Sequence, residues 1–485
     1  MQFYNTLSKR KQEFLPQEEG KVHMYVCGIT AYDYCHIGHA RAAVVFDALV
    51  RFLRYKGYQV YFVRNFTDVD DKIINRAREE GLDSSEVTSK YIQAFYQDMD
   101  QLRVLRADLE PKATEYIQDM QELVQELLQK GYAYTTPAGD VYFRVRAFTD
   151  YGSLSGRNIE ELQAGARIEP GEEKQDPLDF ALWKHAKPEE PAWDSPWGPG
   201  RPGWHIECSA MSQRLLGLPL DIHGGGQDLA FPHHENERAQ SMAATGLELA
   251  RYWLHNGFVQ VHSEKMSKSL GNFVTLRDIF QDYLPEVLRF FLLSKHYRSP
   301  LDFSWESLQE SEKGLKRLYQ TKQLLEQALE REKWNPGLLP QELQKELEES
   351  SRLWEQSLAD DLNTAAALGH IFNICRLGNR LLEDKALART QGAAQAYQMI
   401  LENLSAMSGV LGLLDRPSQE FLSALRDVRA ARLNIDPGRV EEMLQQRQQA
   451  RQEKDFALAD QIRDELAEIG VQVQDTPAGT TWDCE

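Results

Sequence analysis

Hydrophobic and polar positions in the first part of the chain follow two different periods. Residues 22–27 are a short apolar run that ends before a glycine, which is typical of a buried strand. Apolar residues then recur at helical spacing over 40–55, and a second apolar run covers 59–65. Strand, helix and strand in this order predict a βαβ unit, and we therefore expect a parallel sheet.

Helical spacing continues at residues 74–104 and 112–130, after which the pattern changes. Residues 132–137 and 140–145 alternate in the manner of a β-hairpin. The loop-rich and Pro-rich sequence that follows, up to about residue 203, predicts an insertion between two halves of one sheet.

The α/β pattern resumes with a predicted helix at 207–216 and a predicted strand at 219–223. Further on, the strong helical spacing of residues 311–414 predicts a helical bundle, with breaks at 335–337 and 360–361. Two more helices and a strand are predicted at 438–452, 455–469 and 471–475. The predicted fold class is therefore α/β, followed by a helical bundle and a small C-terminal α/β domain.

Composition and charge limit the partners that the surface would attract. The 485 residues carry 55 Lys and Arg against 74 Asp and Glu, so the net charge of −19 repels nucleic acid, and RNA binding would need local basic faces. The five cysteines are scattered and odd in number, which indicates a reducing compartment and is compatible with a metal site. Because no stretch is apolar enough for a membrane span or a signal peptide, we expect a soluble, cytoplasmic protein.

Two histidines stand where the first predicted strand passes into the first predicted helix. His36 and His39 flank Gly38 at a position where open α/β sheets bind ligands and where a helix N-terminus attracts phosphate. The imidazoles can donate hydrogen bonds to a phosphate, and Gly38 lets a flat ring lie close to the backbone. The structural alternative is a pair of partly exposed histidines that cap a helix.

A second motif bears on that choice. Lys265-Met266-Ser267-Lys268-Ser269 places two lysines on a loop, where they can follow phosphate oxygens as charge develops; a solvated basic loop is the alternative. The run from His36 to His39 and this pentapeptide lie about 225 residues apart in this order. Together they resemble the paired signatures of class I aminoacyl-tRNA synthetases.

Two further stretches follow predicted strands. Residues 66–72 are acidic, and we predict that they line the same crevice; the alternative is a helix N-cap. Gly224, Gly225 and Gly226 precede Asp228 and permit a close approach of the backbone to a ligand, but a tight turn explains these glycines equally well.

Sulfur, nitrogen and oxygen donors that suit zinc are spread along the chain. His233 and Glu237 are spaced i,i+4 on one helix face, Cys208 lies at a helix start, and Cys27 ends the first strand. Zinc takes such ligands in four-coordinate sites. His234 is an alternative to His233, and the structural alternative is a small core cysteine with an ordinary histidine. No H-E-x-x-H pattern occurs, which excludes that zinc-protease motif.

Longer runs carry a closer resemblance. These runs are FALWK at 180–184, SPWG at 195–198, GRPGWHIECSAM at 200–211 and FPHHENE at 231–237. With them, the chain resembles the cysteinyl-tRNA synthetase family over nearly its whole length. The resemblance implies a Rossmann-like parallel-sheet catalytic domain with an insertion, a helical bundle and a C-terminal anticodon-binding domain.

The resemblance also assigns roles to single positions. The implied zinc ligands, which would receive the substrate thiolate, are Cys27, Cys208, His233 and Glu237. The implied catalytic residues are His36, His39, Lys265 and Lys268. The implied ATP-binding residues are Gly38, His36, His39, Gly225, Asp228 and Lys268, and the implied substrate-binding residues are Thr30, Thr67 and Trp204. The implied partners are ATP with Mg²⁺, L-cysteine and tRNA-Cys, bound by a monomer.

The implied domains follow the sequence pattern. They are the first half of the catalytic domain (1–130), a connective insertion (131–203), the second half (204–260), the KMSKS loop with a stem-contact segment (261–310), the helical bundle (311–415) and the C-terminal domain (416–485). Two positions depart from the family: Ile29 stands where Pro is usual, and Asn75 stands where a second lysine often follows residues 72–74. The second departure puts a persulfide side activity in doubt.

The predicted reaction joins cysteine to tRNA-Cys in two steps through cysteinyl-adenylate. Shape separates cysteine from serine poorly, by about 1–3 kcal/mol, whereas translation needs about 5.5 kcal/mol for a ratio of ~10⁴. A zinc–thiolate bond can supply this difference, and the insertion of about 70 residues looks too short for an editing domain. One alternative is a mycothiol-pathway cysteine ligase, but that enzyme lacks the C-terminal anticodon-binding domain. Another alternative is a non-catalytic RNA-binding paralogue, which the intact histidine and lysine motifs disfavour.

Overall fold

The computed structural model describes residues 1–158, 173–261, 264–265, 274–476 and 479–484, with 264, 265 and 476 described by their backbone alone. The strands are β1 Gln2–Asn5, β2 Arg10–Glu13, β3 Lys21–Thr30, β4 Gln59–Thr67, β5 Ala133–Thr135, β6 Val141–Phe143, β7 Phe180–His185, β8 Gly200–Pro202, β9 Leu220–Gly226, β10 Ala250–Asn256, β11 Val259–Val261, β12 Glu264–Lys265, β13 Leu301–Phe303, β14 Val471–Thr476 and β15 Gly479–Cys484.

The α-helices lie between these strands and in the long region between β13 and β14. They are α1 Ile37–Tyr55, α2 Asp71–Glu80, α3 Ser84–Gln101, α4 Ile117–Gln129, α5 Trp204–Leu216, α6 Glu235–Thr245, α7 Leu276–Asp282, α8 Pro285–Leu293, α9 Trp305–Leu329, α10 Gln341–Ala359, α11 Thr364–Glu383, α12 Gln391–Leu411, α13 Ser418–Arg432, α14 Pro437–Gln452 and α15 Phe456–Glu468. None of the helices in the described ranges is long and apolar enough to cross a membrane.

A parallel sheet with strand order β10-β9-β3-β4 lies at the centre of the described N-terminal region. Most residues of its strands are buried, as expected for a parallel sheet covered on both faces. The sheet and the helical region that follows it confirm the predicted fold class. Both edges are covered: Asn5 of the hairpin β1–β2 bonds to β10, and Leu109 bridges to Val63 of β4.

The two faces of this sheet belong to different apolar cores. On one face, α1 packs between the sheet and the helical bundle, and buried residues continue without a break from Met24 through Phe52 to Leu358. The buried guanidinium of Arg289 fixes this junction because it pairs with Asp47 of α1 and donates to the Leu411 carbonyl at 2.6 Å. The sheet and the bundle therefore share one continuous core in the described part of the chain.

The other face of the sheet carries the helices and strands that surround the insertion. Helices α4, α5 and α6 pack there with the antiparallel sheet β5-β6-β7-β8, around buried Trp183 and Trp253. A third, smaller core holds α14, α15 and the β14–β15 hairpin together around Trp482.

Two features of the N-terminal region differ from the sequence pattern. The predicted helix 74–104 is two helices, because Gly81 takes a left-handed conformation at φ 66° and ends α2. The polar N-terminal segment forms the hairpin β1–β2, which buries Phe3 and Phe14. Scattered apolar side chains among polar neighbours give too irregular an alternation to predict a hairpin.

Candidate active site and metal centre

Strand β3 departs from regular pairing where the candidate site begins. Its register with β4 shifts between Val26 and Ile29. The Gly28 N–H donates to Asn65 Oδ1 at 2.9 Å, and a Cβ at Gly28 would overlap the carbonyl oxygen of Asn65. Only glycine allows this close approach, so a bulge forms here and presents Cys27 outside the regular alternation of the strand.

The four predicted metal ligands meet beside this bulge. Cys27 Sγ lies 3.5 Å from Cys208 Sγ and 3.4 Å from Glu237 Oε1, and His233 Nε2 lies 3.0 Å from the same carboxylate oxygen. Cys208 comes from α5, and His233 is the penultimate residue of the irregular turn Ala230–His234, which leads into α6. The four donor atoms lie within 4.8 Å of one another, and both cysteines are free thiols.

This donor set fits a zinc ion. Tetrahedral zinc with bonds of about 2.0–2.3 Å separates its ligand atoms by roughly 3.3–3.8 Å, close to the spacings in this cluster. A second group, Cys27 with His223, His234 and Glu237, also clusters. However, His234 Nε2 lies 3.9 Å from Glu237, while His234 Nδ1 lies 2.8 Å from His255. The set with two sulfurs suits zinc better, which favours His233 as the ligand.

Neighbouring groups orient the cluster and set its charge. His205 Nδ1 lies 3.0 Å from His233 Nδ1, and His223 Nε2 lies 3.0 Å from Glu237 Oε2. Burial raises the pKa of the Glu237 carboxyl, but His223 and His233 hold that pKa well below its ordinary value. Burial likewise opposes ionisation of Cys208, yet hydrogen bonds with Cys27 and His233 lower its pKa to about 6. Ionised thiolate and carboxylate are the forms that bind a metal.

The two predicted catalytic histidines cap helix α1. His36 Nδ1 accepts from the Gly38 N–H at 3.0 Å, and His39 Nδ1 accepts from the His36 N–H at 3.3 Å. The two rings stack with centroids 3.8 Å apart. Because each Nδ1 accepts a backbone hydrogen bond, the proton of each neutral ring resides on Nε2, where it can be donated to a phosphate. Capping and phosphate binding are therefore compatible interpretations of this motif.

A cavity of about 330 Å³ connects His36 and His39 to the cluster of predicted metal ligands. Of the predicted site residues, those that line it are Cys27, Thr30, His36, Gly38, His39, Trp204 and Asp228. Cys27 belongs to both the cavity and the cluster, and the Trp204 ring stacks on His233 with centroids 4.2 Å apart. A ligand that reaches from the histidines to Trp204 would therefore end at the cluster.

Two predicted binding residues lie behind the cavity wall. Thr67 is buried and donates from Oγ1 to Glu207 Oε2 at 2.6 Å. Gly225 is buried in β9, where a Cβ would press on His234. Direct contact of these two residues with substrate or ATP stays a prediction.

The side chains of Lys265 and Lys268, the two lysines of the KMSKS motif, lie outside the described part of the structure. Lys268 lies outside the described residues, and Lys265 is described only by its backbone, in strand β12. The chain that follows returns to the histidine motif: Thr275 forms a bridge with His36, and the Leu276 N–H donates to the Cys35 carbonyl at 2.9 Å. The segments that flank the two signature motifs thus touch.

Asp68, Asp70 and Asp71 do not line the cavity, so the prediction for residues 66–72 was wrong for its acidic members. Asp70 caps α2 and accepts from the Lys72 N–H at 2.9 Å, Asp68 accepts from Thr114, and Asp71 pairs with Lys184 of the insertion. The helix N-cap alternative is correct for Asp70. Lys72 lines the cavity instead.

Three site residues were missed by reasoning from the sequence. Arg64 lines the cavity and pairs with Glu110; an arginine within an otherwise apolar strand was a signal of a pocket. His205 and His223 lie against the predicted metal ligands, and a histidine at the end of the predicted strand 219–223 was the corresponding signal for His223.

Comparisons with known proteins agree with this geometry. The family model described as "tRNA synthetases class I (C) catalytic domain" matches residues 13–313, a DALR domain model matches 354–415, and a cysteinyl-tRNA ligase anticodon-binding domain model matches 437–482. The cysteine–tRNA ligase of Oleidesulfovibrio alaskensis is 61% identical over 100% of both chains, and that of Maridesulfovibrio salexigens is 59% identical over 99% of both.

Among solved structures, methionyl-tRNA synthetase of Mycobacterium tuberculosis in complex with methionyl-adenylate has a similar fold. Its TM-score is 0.63 at 17% identity, over 86% of this chain and 94% of that one. The fold and the site define a class I aminoacyl-tRNA synthetase, which is an ATP-dependent ligase. Within that class, the chain belongs to the cysteine–tRNA ligase family.

Proposed function

We propose that this chain activates L-cysteine with ATP, forming cysteinyl-adenylate and pyrophosphate, and then transfers cysteine to the 3′-terminal ribose of tRNA-Cys. The observation that carries the proposal is that Cys27 is shared by the cavity that His36 and His39 line and by a Cys, Cys, His, Glu cluster. The relatives compared above are cysteine–tRNA ligases, which supports the same substrates. This function belongs in the cytoplasm, and we further propose that the chain acts as a monomer.

The residues of the cavity would position the reactants for the first step. Nε2 of His36 and of His39 donates to the phosphates, and the positive charge of Lys72, which lines the same cavity, adds to the field. Arg64, paired with Glu110, and Asp228 also line the cavity, and Gly38 leaves room for the nucleotide at the start of α1. In this arrangement the cysteine carboxylate attacks the α-phosphate and pyrophosphate leaves, with most of the rate coming from positioning and charge stabilisation. Lys265 and Lys268 are proposed to follow the charge that develops on the departing phosphates.

Selection of cysteine would depend on the metal cluster. Cys27, Cys208, His233 and Glu237 are proposed to hold one zinc ion, which when bound supplies a Lewis-acid position that accepts a thiolate and rejects a hydroxyl. Trp204 covers His233, and this places its ring where it excludes water from a bound amino acid.

An exchange assay tests the proposal. The chain is expected to support cysteine-dependent ATP–pyrophosphate exchange, and His36→Ala is expected to slow it by about 10²–10³-fold, as for loss of one positioned donor, with little change in cysteine affinity. The exposed His185, on strand β7 of the insertion, gives the control variant His185→Ala, which should exchange normally. Equal losses of exchange and cysteine binding in His36→Ala would contradict the role assigned to that residue, and no exchange in the unsubstituted chain would contradict the function.

The region that follows the catalytic domain, residues 354–482, distinguishes this function from ligation of cysteine to an amino sugar. The family models matched at 354–415 and 437–482 are a DALR domain and an anticodon-binding domain, which favours a tRNA acceptor. Charging of a tRNA-Cys transcript in the same assay separates the two reactions, because an amino-sugar ligase would exchange pyrophosphate without charging tRNA.

A further inference from the structure

One buried carboxylate on α3 lacks the hydrogen bonds that such a group normally has. Asp98 lies in the last turn of α3, and its side chain is 1% exposed. Neither of its carboxylate oxygens has a hydrogen-bond partner among the described residues. Buried carboxylates are nearly always hydrogen-bonded because an uncompensated charge is costly away from water, so this exception calls for a physical explanation.

The cation that faces this carboxylate is Arg277, in the first turn of α7. Arg277 Nε lies 3.5 Å from Asp98 Oδ1, whereas a charge-assisted hydrogen bond spans about 2.7–2.9 Å. Burial raises the pKa of the Asp98 carboxyl, and the charge of Arg277 offsets only part of that rise. The two residues therefore form an incomplete ion pair in this structure.

Two further contacts hold Arg277 close to Asp98. Arg277 Nη2 donates to Gln97 Oε1 at 3.2 Å, and its guanidinium lies 4.2 Å from the centre of the Tyr34 ring. The Tyr34 ring packs edge-on against Tyr91, with centroids 5.3 Å apart. Gln97, Asp98 and Tyr91 all belong to α3, so this one helix contacts both Arg277 and the residue that lies two positions before His36.

The backbone next to Arg277 connects this contact to the two histidines of α1. Residues 274–276 pair with residues 35–37, where Thr275 bridges His36 and hydrogen bonds of 2.9 and 3.4 Å flank the bridge. The His36 N–H donates to His39 Nδ1 at 3.3 Å, so the backbone at His36 also orients His39. A movement of Arg277 would therefore reach both imidazoles through three consecutive residues.

Nearby ion pairs are closed by comparison. Arg76 Nη2 lies 3.1 Å from Asp33 Oδ2, in the segment that precedes the histidines. On α3 itself, Asp100 Oδ2 lies 2.7 Å from Arg106 Nη2. The gap at Asp98 is therefore not a general feature of the ion pairs in this region.

We propose that Asp98 and Arg277 are positioning residues for adenylate formation, because they hold residues 274–276 against the start of α1. Their ion pair closes fully when ATP draws His36 and His39 towards its phosphates. This inference rests on the proposed function, since that function supplies the ATP. A bond that forms only as the phosphates are engaged stabilises the transition state more than the free protein, which is the condition for an effect on kcat.

Asp98→Asn tests the pair because it removes the charge and keeps the shape of the side chain. In cysteine-dependent ATP–pyrophosphate exchange we expect kcat to fall about 10–100-fold, with the KM for cysteine within about twofold of its normal value. The Tm should be unchanged or higher, because the substitution removes a poorly compensated buried charge and leaves a partner that is 39% exposed. A residue that only supports the fold would not give lower kcat at equal Tm.

Arg277→Gln gives an independent measurement from the other side of the pair. It should lower kcat by a similar factor, and Asp98→Asn/Arg277→Gln should be no slower than either single variant, since both changes remove the same interaction. Arg277→Lys keeps the charge but loses the planar contact with Tyr34, so it should recover part of the rate.

The matched control is Asp100→Asn/Arg106→Gln. This double variant removes a closed ion pair that begins on the same helix, and it should exchange normally.

The outcomes separate this inference from the proposed function. Normal exchange in the unsubstituted chain together with normal kcat in Asp98→Asn overturns the inference and leaves the proposed function standing. A joint loss of Tm, cysteine affinity and kcat in Asp98→Asn also overturns it, since the carboxylate would then serve the fold alone. Losses that multiply in the double variant would show that the two residues act separately, contrary to the inference. No exchange in the unsubstituted chain contradicts the proposed function and, with it, this inference.

Discussion

The cluster of predicted metal ligands and the helical bundle are built in opposite ways. Cys27 and Cys208 stand 181 positions apart in the chain, and they meet in a buried group of thiols, imidazoles and carboxylates. The bundle is assembled from sequential helices, with buried residues such as Leu358 and Ile371 at regular helical spacing. The cluster contributes chemistry and little apolar burial, whereas the bundle contributes apolar burial to a core that it shares with the sheet. We therefore expect substitutions in the cluster to abolish activity while the free energy of unfolding stays nearly constant. Substitutions in the core of the bundle should lower the free energy of unfolding and leave activity unchanged.

The largest expected effect comes from breaking the cluster. Cys208→Ser keeps the shape but removes a thiolate ligand, so we expect loss of bound zinc and a fall in cysteine-dependent exchange of ~10³-fold, about 4 kcal/mol. Metal analysis of the purified variant measures the first effect independently of activity. Cys375→Ala, which removes a buried thiol of the bundle, is the matched control and should retain zinc. A Cys208→Ser protein with a full complement of zinc would show that the cluster is not the metal site.

A core substitution in the bundle should have an effect of intermediate size. It should lower the free energy of unfolding without changing exchange activity or zinc content. Leu358 is fully buried in α10, so Leu358→Ala should lower the free energy of unfolding by about 3 kcal/mol through lost burial and a residual cavity. Exchange at 25 °C and zinc content should not change. Leu338 is 88% exposed, and Leu338→Ala should leave the unfolding free energy within about 0.5 kcal/mol. Loss of zinc in Leu358→Ala at a temperature where the chain is folded would contradict the contrast between the regions.

The smallest effect is expected in the C-terminal domain and depends on pH. Hydrogen bonds from Arg447 and Arg451 hold the pKa of Asp475 well below its ordinary value. A depressed pKa in the folded state stabilises the domain above the unfolded value of about 3.9, and this contribution is lost as pH falls below it. Asp475 is partly exposed, so the contribution should stay below ~1 kcal/mol.

The measurement is the difference in Tm between the unsubstituted chain and Asp475→Asn. It should be small and destabilising at pH 7 and should shrink progressively as the pH falls below about 3.9 towards the lowered pKa of Asp475. Asp464→Asn, which removes an exposed carboxylate 3.8 Å from Arg463, is the control and should show no such trend. A difference that grows as the pH falls would have the wrong sign for a carboxylate with a depressed pKa.

The bundle could be predicted from sequence because its signals are local. The break at 335–337 falls between the end of α9 at Leu329 and the start of α10 at Gln341, and the break at 360–361 falls between α10 and α11. Apolar spacing and helix-breaking residues are enough to place such boundaries. Where a local signal was weaker, as at Gly81, two helices were predicted as one.

The site could be predicted only as far as motifs and resemblance reached. Spacing placed His233 and Glu237 on one helix face, but nothing in the local pattern joins them to Cys27, because the joining contacts depend on tertiary packing. For the same reason, local pattern could not identify His205, whose partner His233 is 28 positions away. The carboxylates at 68–71 were misassigned because a strand end and a helix N-cap favour the same residue types.

Under the proposed function, the bulge at Gly28 ties the amino-acid specificity of this chain to a residue that has no side chain. Any replacement there would push β3 away from Asn65 and withdraw the neighbouring Cys27 from its partners. Engineering the chain toward another amino acid therefore cannot exchange the predicted metal ligands without regard to the backbone conformation at Gly28. Position 28 must be kept as glycine in every library that varies residue 27, or the scaffold and the selectivity will change together.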